Sequence, residues 1–590
     1  MRHRISCACC LFFLAISSLL TIFTTTPASA RSPKSSIQQH ALADFPTVDP
    51  NYIYDQLFYM ATSYQHREAG YDNNLPITQN GHDEFASYWS QELMKNVAGF
   101  GAQVRRDEFN VAGWQGRPAI VPAFNLEVTI PGVTHPEQVV VIGCHYDGEA
   151  ISTQSANDDA SGCAIELGVA RAMGMYWRSH HTYPARTLRF VIFDAEEQGL
   201  YGSFHYLNST VNGDVNNIVA MFNEEQSGIA YPLRYLGKMA NPLLPFYVDM
   251  SPLQNSQLYP NQNRLSQQQQ ANITTFRTLM QQAVTPVFQQ FQALGYQTLS
   301  YHDANNQDVT QPVFASNQLN NLHLEDDTLG GSDQIPFTLA GLPCATFAGN
   351  STYYDNNPPP WSYPFDQKED TIQLMNTFAS GSSKEARALV LALALPGMLT
   401  TWMLNQPAIL GQVSADKNPI AAISDIGLTV VNQNISFDAR ASYDLNANSN
   451  TLHYTWDFGD GSNSKATGIA VNHVYTTPGS YTLTLTVSST KGSRRVSKVL
   501  NIVPQSTSYD NPYASYKANG VPPPNSAVIL PTPNDIPSSQ VIPTATATTP
   551  SLSSSVSPAL VFIPVAVGIC IIILLVALLI MNRRRHHKNV

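Results

Sequence analysis

A chain of 590 residues is several times longer than one hydrophobic core supports, so more than one domain is expected. Its 32 Lys and Arg against 43 Asp and Glu give a net charge of -11, and the basic residues are scattered apart from one C-terminal cluster, which excludes the electrostatic footprint of a nucleic-acid binder. Cys7, Cys9, Cys10 and Cys570 fall in apolar terminal segments, so only Cys144, Cys163 and Cys344 are left for the bulk of the chain, too few for a disulfide framework. Three buried, unpaired thiols are expected, with a single bridge as the alternative.

The N-terminus reads Met1-Arg2-His3-Arg4, an apolar stretch from Ile5 to Phe23, then Pro27-Ala28-Ser29-Ala30. This order of basic, apolar and small-residue regions predicts a signal peptide over 1–30, with export and a mature start near Arg31. From 31 to 410 apolar strand-like runs alternate with helix-like segments. Val139–Gly143, Leu188–Phe193 and Ile218–Phe222 read as buried strands, and Cys163–Trp177 as an intervening helix. An α/β domain is expected, with a mixed, mostly parallel sheet and helices on both faces. The strand signal fades over about 231–329, where Gln267-Gln268-Gln269-Gln270 leads into a helical stretch from Phe276 to Leu294. That segment is expected to be an insertion, either a wall over the site or a solvated helical excursion.

Residues 416–504 change character to short alternating strands between Gly and Asp turns, which predicts an all-β, immunoglobulin-like sandwich. Within it, Trp456-Asp457-Phe458-Gly459-Asp460-Gly461, His473-Val474-Tyr475 and Pro478-Gly479-Ser480-Tyr481 resemble a polycystic kidney disease (PKD) domain. The resemblance implies a spacer or a module contacting protein or carbohydrate, with Asp457 and Asp460 as turn residues. Residues 505–558, rich in Pro, Ser and Thr, predict an extended stalk. The apolar run 559–581 predicts a transmembrane helix, and Arg583-Arg584-Arg585 in the tail 582–590 keeps that end cytoplasmic. The bulk of the chain is then anchored to the cell membrane and faces the periplasm or cell exterior.

Three short acidic motifs follow the predicted strands. Residues two apart in extended chain share a face, so His145 and Asp147 in Cys144-His145-Tyr146-Asp147-Gly148 point the same way, as a metal ligand and its orienting carboxylate would. Asn157-Asp158-Asp159-Ala160-Ser161-Gly162 opens the helix, and Asp194-Ala195-Glu196-Glu197 leaves the next strand with adjacent carboxylates on opposite sides. Each motif alone is equally a solvated turn or an N-cap. Together, in this order at strand ends, they resemble the co-catalytic zinc aminopeptidase family that includes aminopeptidase Y, bacterial leucyl aminopeptidases, glutamate carboxypeptidase II and the related glutaminyl cyclases. Arg67-Glu68-Ala69-Gly70 also fits that family's Arg-x-x-Gly pattern.

The resemblance implies a zinc-exopeptidase fold and two zinc ions per chain. It makes His145 a ligand of one metal, Asp158 the bridging carboxylate, Glu197 a ligand of the second metal, Glu196 the general base and Asp147 the orienting group. Later landmarks depart from the pattern. Glu225 stands where the family has Asp, Gln334 where Gly-Ser-Asp-His has its His, and Asp366, four residues before Asp370-Thr371, where the family has a ligand His. With Asp366 as ligand the shell gains a negative charge, which weakens the metals as Lewis acids and widens tolerance to manganese or magnesium. His323, in Leu322-His323-Leu324, is a weaker candidate for the missing imidazole. The implied function is removal of N-terminal residues from a peptide or protein substrate. The alternatives are a surface binding protein that has lost catalysis, motivated by the altered ligands, and a glutaminyl cyclase-like enzyme.

Overall fold

The computed structural model describes residues 44–504, apart from 71–80, 113–119, 211–213, 229–245, 254–258, 260–264, 303–307, 316–321, 328–330, 349–365, 379–386, 416–417, 425, 427–428, 445–451 and 462–464. The signal peptide, stalk, transmembrane segment and tail expected from the sequence lie outside the described residues. Among those residues no helix is long and apolar enough to cross a membrane.

Two helices, α1 (Pro50–Ser63) and α2 (His82–Asn96), precede strands β1 (Gln103–Ala112), β2 (Ile120–Ile130) and β3 (His135–His145). Helix α3 (Ala160–His180), the short strand β4 (Thr182–Pro184), β5 (Arg186–Phe193), the one-turn α4 (Tyr201–His205) and β6 (Ile218–Glu224) follow. Then come β7 (Phe246–Met250), α5 (Gln267–Ala293), the hairpin β8 (Thr298–His302) and β9 (Asp308–Pro312), and β10 (Leu322–Asp326). The domain closes with α6 (Gln334–Leu339), β11 (Cys344–Ala348), α7 (Ile372–Phe378) and α8 (Arg387–Leu404).

Eight of these strands form one mixed sheet in the order β1-β2-β5-β3-β6-β11-β7-β10. The four inner strands β5, β3, β6 and β11 run parallel, while β1, β2 and the β7–β11 pair are antiparallel. Central β3 shows why the sheet needs cover on both sides. Val140, Ile142 and Cys144 enter the large core with α1, α2, α3, α5 and α8, while Val139 and Val141 pack with Tyr206, Phe337 and Leu342 on the other face. Each such fully buried aliphatic side chain contributes roughly 1.5–3 kcal/mol.

The stretch expected as an insertion is built into this core. Strand β10 pairs with β7, and β7 pairs with β11, so both extend the main sheet. Helix α5 begins earlier than expected, at a capping box in which the Ser266 hydroxyl accepts from Gln269 N at 3.2 Å and Gln269 Oε1 accepts from Ser266 N at 2.9 Å. It buries Ile273, Phe276, Met280, Val287 and Phe291 against the sheet layer. The five-residue β7 is short, and β10, at the edge of the sheet, ends in the charged Glu325-Asp326, so both carry little strand signal. Cys144, Cys163 and Cys344 are buried and free, as expected, with the Cys144 and Cys163 sulfurs 2.6 Å apart.

Strand β12 (Gln412–Ser414) pairs with β4 and leads into the second domain, whose strands β13 (Thr429–Val430) to β19 (Gly492–Val503) form a five-stranded and a two-stranded sheet. Trp456, Phe437, Phe458, Tyr475 and Leu485 fill its core. The Tyr475 hydroxyl donates to Phe458 O at 2.8 Å, and Trp456 Nε1 donates to Gly468 O at 2.9 Å. Asp457 is a turn residue, accepting from Gly459 N at 3.1 Å, whereas Asp460 instead meets His473 Nε2 at 2.8 Å. A small module rests heavily on its largest buried side chain. Trp456→Ala is expected to cost about 3–5 kcal/mol and to melt this domain ahead of the first. A calorimetric scan of the variant that overlays the parent would refute that dependence.

Candidate metal centre

Three neighbouring parallel strands, β5, β3 and β6, end side by side, and in such sheets the crevice beyond the carboxyl ends collects ligands. Strand β3 delivers His145, the turn after β5 delivers Glu196 and Glu197, and the residue after β6 is Glu225. His145 is 1% exposed, and its Nε2 lies 2.9 Å from Asp158 Oδ1 and 3.7 Å from Glu225 Oε2.

The loop carrying Asp158 is pinned from a distance. Asp370 accepts from Asn157 N at 2.9 Å and from Asp158 N at 3.0 Å, while Gln226 Nε2 donates to Asp158 Oδ2 at 3.1 Å. Asp159 caps α3 by accepting from Gly162 N at 2.9 Å. Gly162 itself has no substitute, because a Cβ there would sit 2.0 Å from Glu224 O. Glu225 Oε2 accepts from Ser332 Oγ at 2.6 Å, and Asn223 Nδ2 donates to the same hydroxyl at 2.9 Å.

All seven sequence-predicted residues meet in this crevice, with two adjustments. Asp147 Oδ1 lies 3.5 Å from His145 Nδ1, the outer limit of a hydrogen bond, and its firm contacts are elsewhere. It accepts from Glu196 N at 3.1 Å and Glu197 N at 3.3 Å, so it fixes the turn bearing both glutamates. Asp366 precedes Asp370 on a turn closed by Asp370 N donating to Gln367 O at 3.0 Å, and the Asp370 carboxylate joins that turn to the Asp158 loop. Burial, and then the Asp158 carboxylate beside it, push the Asp366 pKa up to about 10. Gln334 is engaged structurally, donating to Asp327 Oδ2 at 2.9 Å, and His323 on the edge strand β10 stacks on Tyr247 of β7, in neither of the metal-binding clusters found among the described residues.

These residues fit divalent cations. Two clusters, His145 with Asp158 and Glu197 and His145 with Asp159 and Glu225, bring their ligand atoms within 4.8 Å of one another. His145 Nδ1, Glu197 Oε1 and Asp366 Oδ1 are buried with no hydrogen-bond partner. Burial raises the pKa of Glu196 and Glu197 well above the ordinary range; His145 opposes this at both, and Asp158 and Asp366 add to it at Glu197. So many acids around one imidazole are costly unless positive charge joins them.

The sequence reading missed the support behind β5. Asp194 accepts from Phe124 N and Ala195 N, both at 2.8 Å, and from His82 Nε2 at 2.9 Å. Burial alone lowers the His82 pKa, but Asp194 and then Asp83 outweigh it and raise it to about 9. A raised imidazole pKa contributes stability that is full below about 6.5 and is lost as pH rises through about 9. The loss should be on the order of 3 kcal/mol. Denaturation midpoints followed across that range should fall in the parent and stay flatter in His82→Gln; parallel curves would rule the pair out as the cause.

The comparisons agree with this architecture. Residues 125–308 match the model of Peptidase family M28, and residues 416–503 match the PKD domain. A probable zinc metalloprotease of Leptosphaeria maculans is 34% identical over 113 residues, 18% of this chain and 25% of that protein. Carboxypeptidase Q of Homo sapiens is 38% identical over 87 residues (14% and 17%), and aminopeptidase YwaD of Bacillus subtilis 31% identical over 100 residues (17% and 20%). The chain thus spans a quarter or less of the length of these relatives. The solved structure of BSAP, a zinc aminopeptidase from Bacillus subtilis, is 14% identical and covers 63% of this chain and 97% of its own, at a TM-score of 0.39. The match to Peptidase family M28 falls within the α/β domain, and the match to the PKD domain follows it in the same chain.

Proposed function

We propose that this protein is an exported, membrane-anchored metallopeptidase that releases N-terminal residues from peptides by hydrolysis at a two-metal centre. One observation carries the reading. Glu196, fixed through its backbone N–H by Asp147 at 3.1 Å, stands free to act beside His145, Asp158, Glu197 and Glu225 at the strand ends. Export and anchoring rest on the apolar segments 1–30 and 559–581 with Arg583-Arg584-Arg585 behind the second.

In this reading His145, Glu225, Glu197, Asp366 and Asp158 would hold the two cations, His145 and Glu225 toward one and Glu197 and Asp366 toward the other, with Asp158 serving both. Zinc bound there would lower the pKa of water and polarise the scissile carbonyl. Glu196 takes a proton from the attacking water and returns it to the leaving amine as the C–N bond breaks. Asp147 keeps Glu196 and Glu197 in register on one turn, and Gln226 and Asp370 hold Asp158 in place. The sandwich domain, which follows the α/β domain in the chain, serves as a contact module for protein or carbohydrate.

The test combines metal analysis of the purified protein with hydrolysis of aminoacyl-4-nitroanilides, N-blocked peptides and N-terminal glutamine peptides. About two metals per chain and chelator-sensitive release of free N-terminal residues support the proposal. Cleavage of N-blocked peptides would move the action to the C-terminus, and cyclisation without cleavage would make it a glutaminyl cyclase. A folded, metal-free, inactive protein would leave only the surface-binding reading.

A further inference from the structure

We infer that the two metal positions are chemically unequal: one keeps zinc through His145, and the other is an all-carboxylate, exchangeable position that takes manganese or magnesium. This rests on the metal-centre reading above. Both candidate clusters among the described residues depend on the same nitrogen donor, His145. Its Nε2 faces Asp158 and Glu225, and its Nδ1 faces Asp147, so the imidazole serves a single cation. The other cation then meets oxygen alone.

The side chains left for that second position are Asp158, Glu197 and Asp366. Asp366 sits against Asp158, its Oδ1 is buried without a hydrogen-bond partner, and Glu197 Oε1 is in the same state. Among the described residues the nearby nitrogen-bearing side chains are engaged elsewhere. Gln334 is committed to Asp327, Gln226 donates to Asp158, and His323 stacks on Tyr247. Zinc favours nitrogen and sulfur donors, whereas carboxylate and water suit magnesium and manganese. Replacing an imidazole by a carboxylate therefore removes much of zinc's advantage at this position and leaves it at the other.

The experiment strips the full-length protein with a chelator and titrates zinc by calorimetry, then follows manganese binding to the one-zinc protein by electron paramagnetic resonance. The second zinc should bind more weakly than the first, by on the order of 10- to 100-fold, and manganese should fill the same position. Asp366→His should tighten the second zinc toward the first and exclude manganese. Asp366→Asn should lose the second position and keep the first, which guards against a histidine variant that does not fold. Two zinc ions of equal affinity with no manganese bound, or an Asp366→His protein with unchanged affinities, would overturn the inference alone. Binding of no zinc at all would overturn the metal-centre reading together with it.

Discussion

Glu196→Gln is expected to lower peptide hydrolysis by about 10²- to 10⁴-fold while the metal content stays that of the parent. The substitution changes very little else. Asp147 grips this turn through the backbone N–H groups of Glu196 and Glu197, at 3.1 and 3.3 Å, so an amide in place of the carboxylate leaves the turn and Glu197 where they were. Lost is a group that can take a proton from water in the crevice. Glu197→Gln one residue on is the contrasting case, because that oxygen belongs to the His145 and Asp158 cluster and its loss should lower metal content as well as rate. Rate assays and metal analysis on the two variants separate the roles. A fully active Glu196→Gln protein would remove the base from the mechanism, and a metal-depleted one would make Glu196 a ligand.

Extended-chain parity predicted Glu196 and Glu197 on opposite sides, whereas the structure sets both on a turn; the same parity put His145 and Asp147 on one face, and their side chains come within 3.5 Å. Strand-end placement was legible too, since Val139–Gly143 and Leu188–Phe193 are apolar throughout and their acidic sequels are not. What the sequence hid is support that reaches across long separations. Asp370 acts on Asp158 N from 212 residues away, and His82 acts on Asp194 from 112. Any acid or imidazole at a turn looks the same in the sequence until the chain is folded. Asp147 shows the intermediate case: its place at the site followed from spacing, but its partners proved to be two amide groups on the turn after β5. Strands β7 and β10 were lost for a different reason: each is five residues long, β10 lies at the sheet edge, and the core residues Val248, Met250 and Leu322 were too few to signal them.

Arg67 is where a single substitution should cost the fold most. Its guanidinium is 1% exposed and ties together the segments that frame the crevice: Nε donates to Tyr146 O at 2.7 Å, Nη1 to Gln154 O at 2.6 Å and Nη2 to Ser155 O at 3.0 Å. The same group lies 4.5 Å over the Phe85 ring. Burial pulls its pKa down, and the carboxylates of Asp370, Asp147 and Asp159 are among the groups that oppose this, so the cation also offsets acids that carry the site. Arg67→Met keeps the bulk but leaves buried carbonyls unpaired and those acids uncompensated, at a cost of about 3–5 kcal/mol. Arg67→Lys should recover little of it, because one ammonium cannot reach three carbonyls set around a planar fork. Both variants should therefore melt earlier and hold less metal at equal protein concentration. If Arg67→Lys matched the parent in melting temperature and metal content, the fork geometry would be irrelevant, and a positive charge at this position would be all that the site requires.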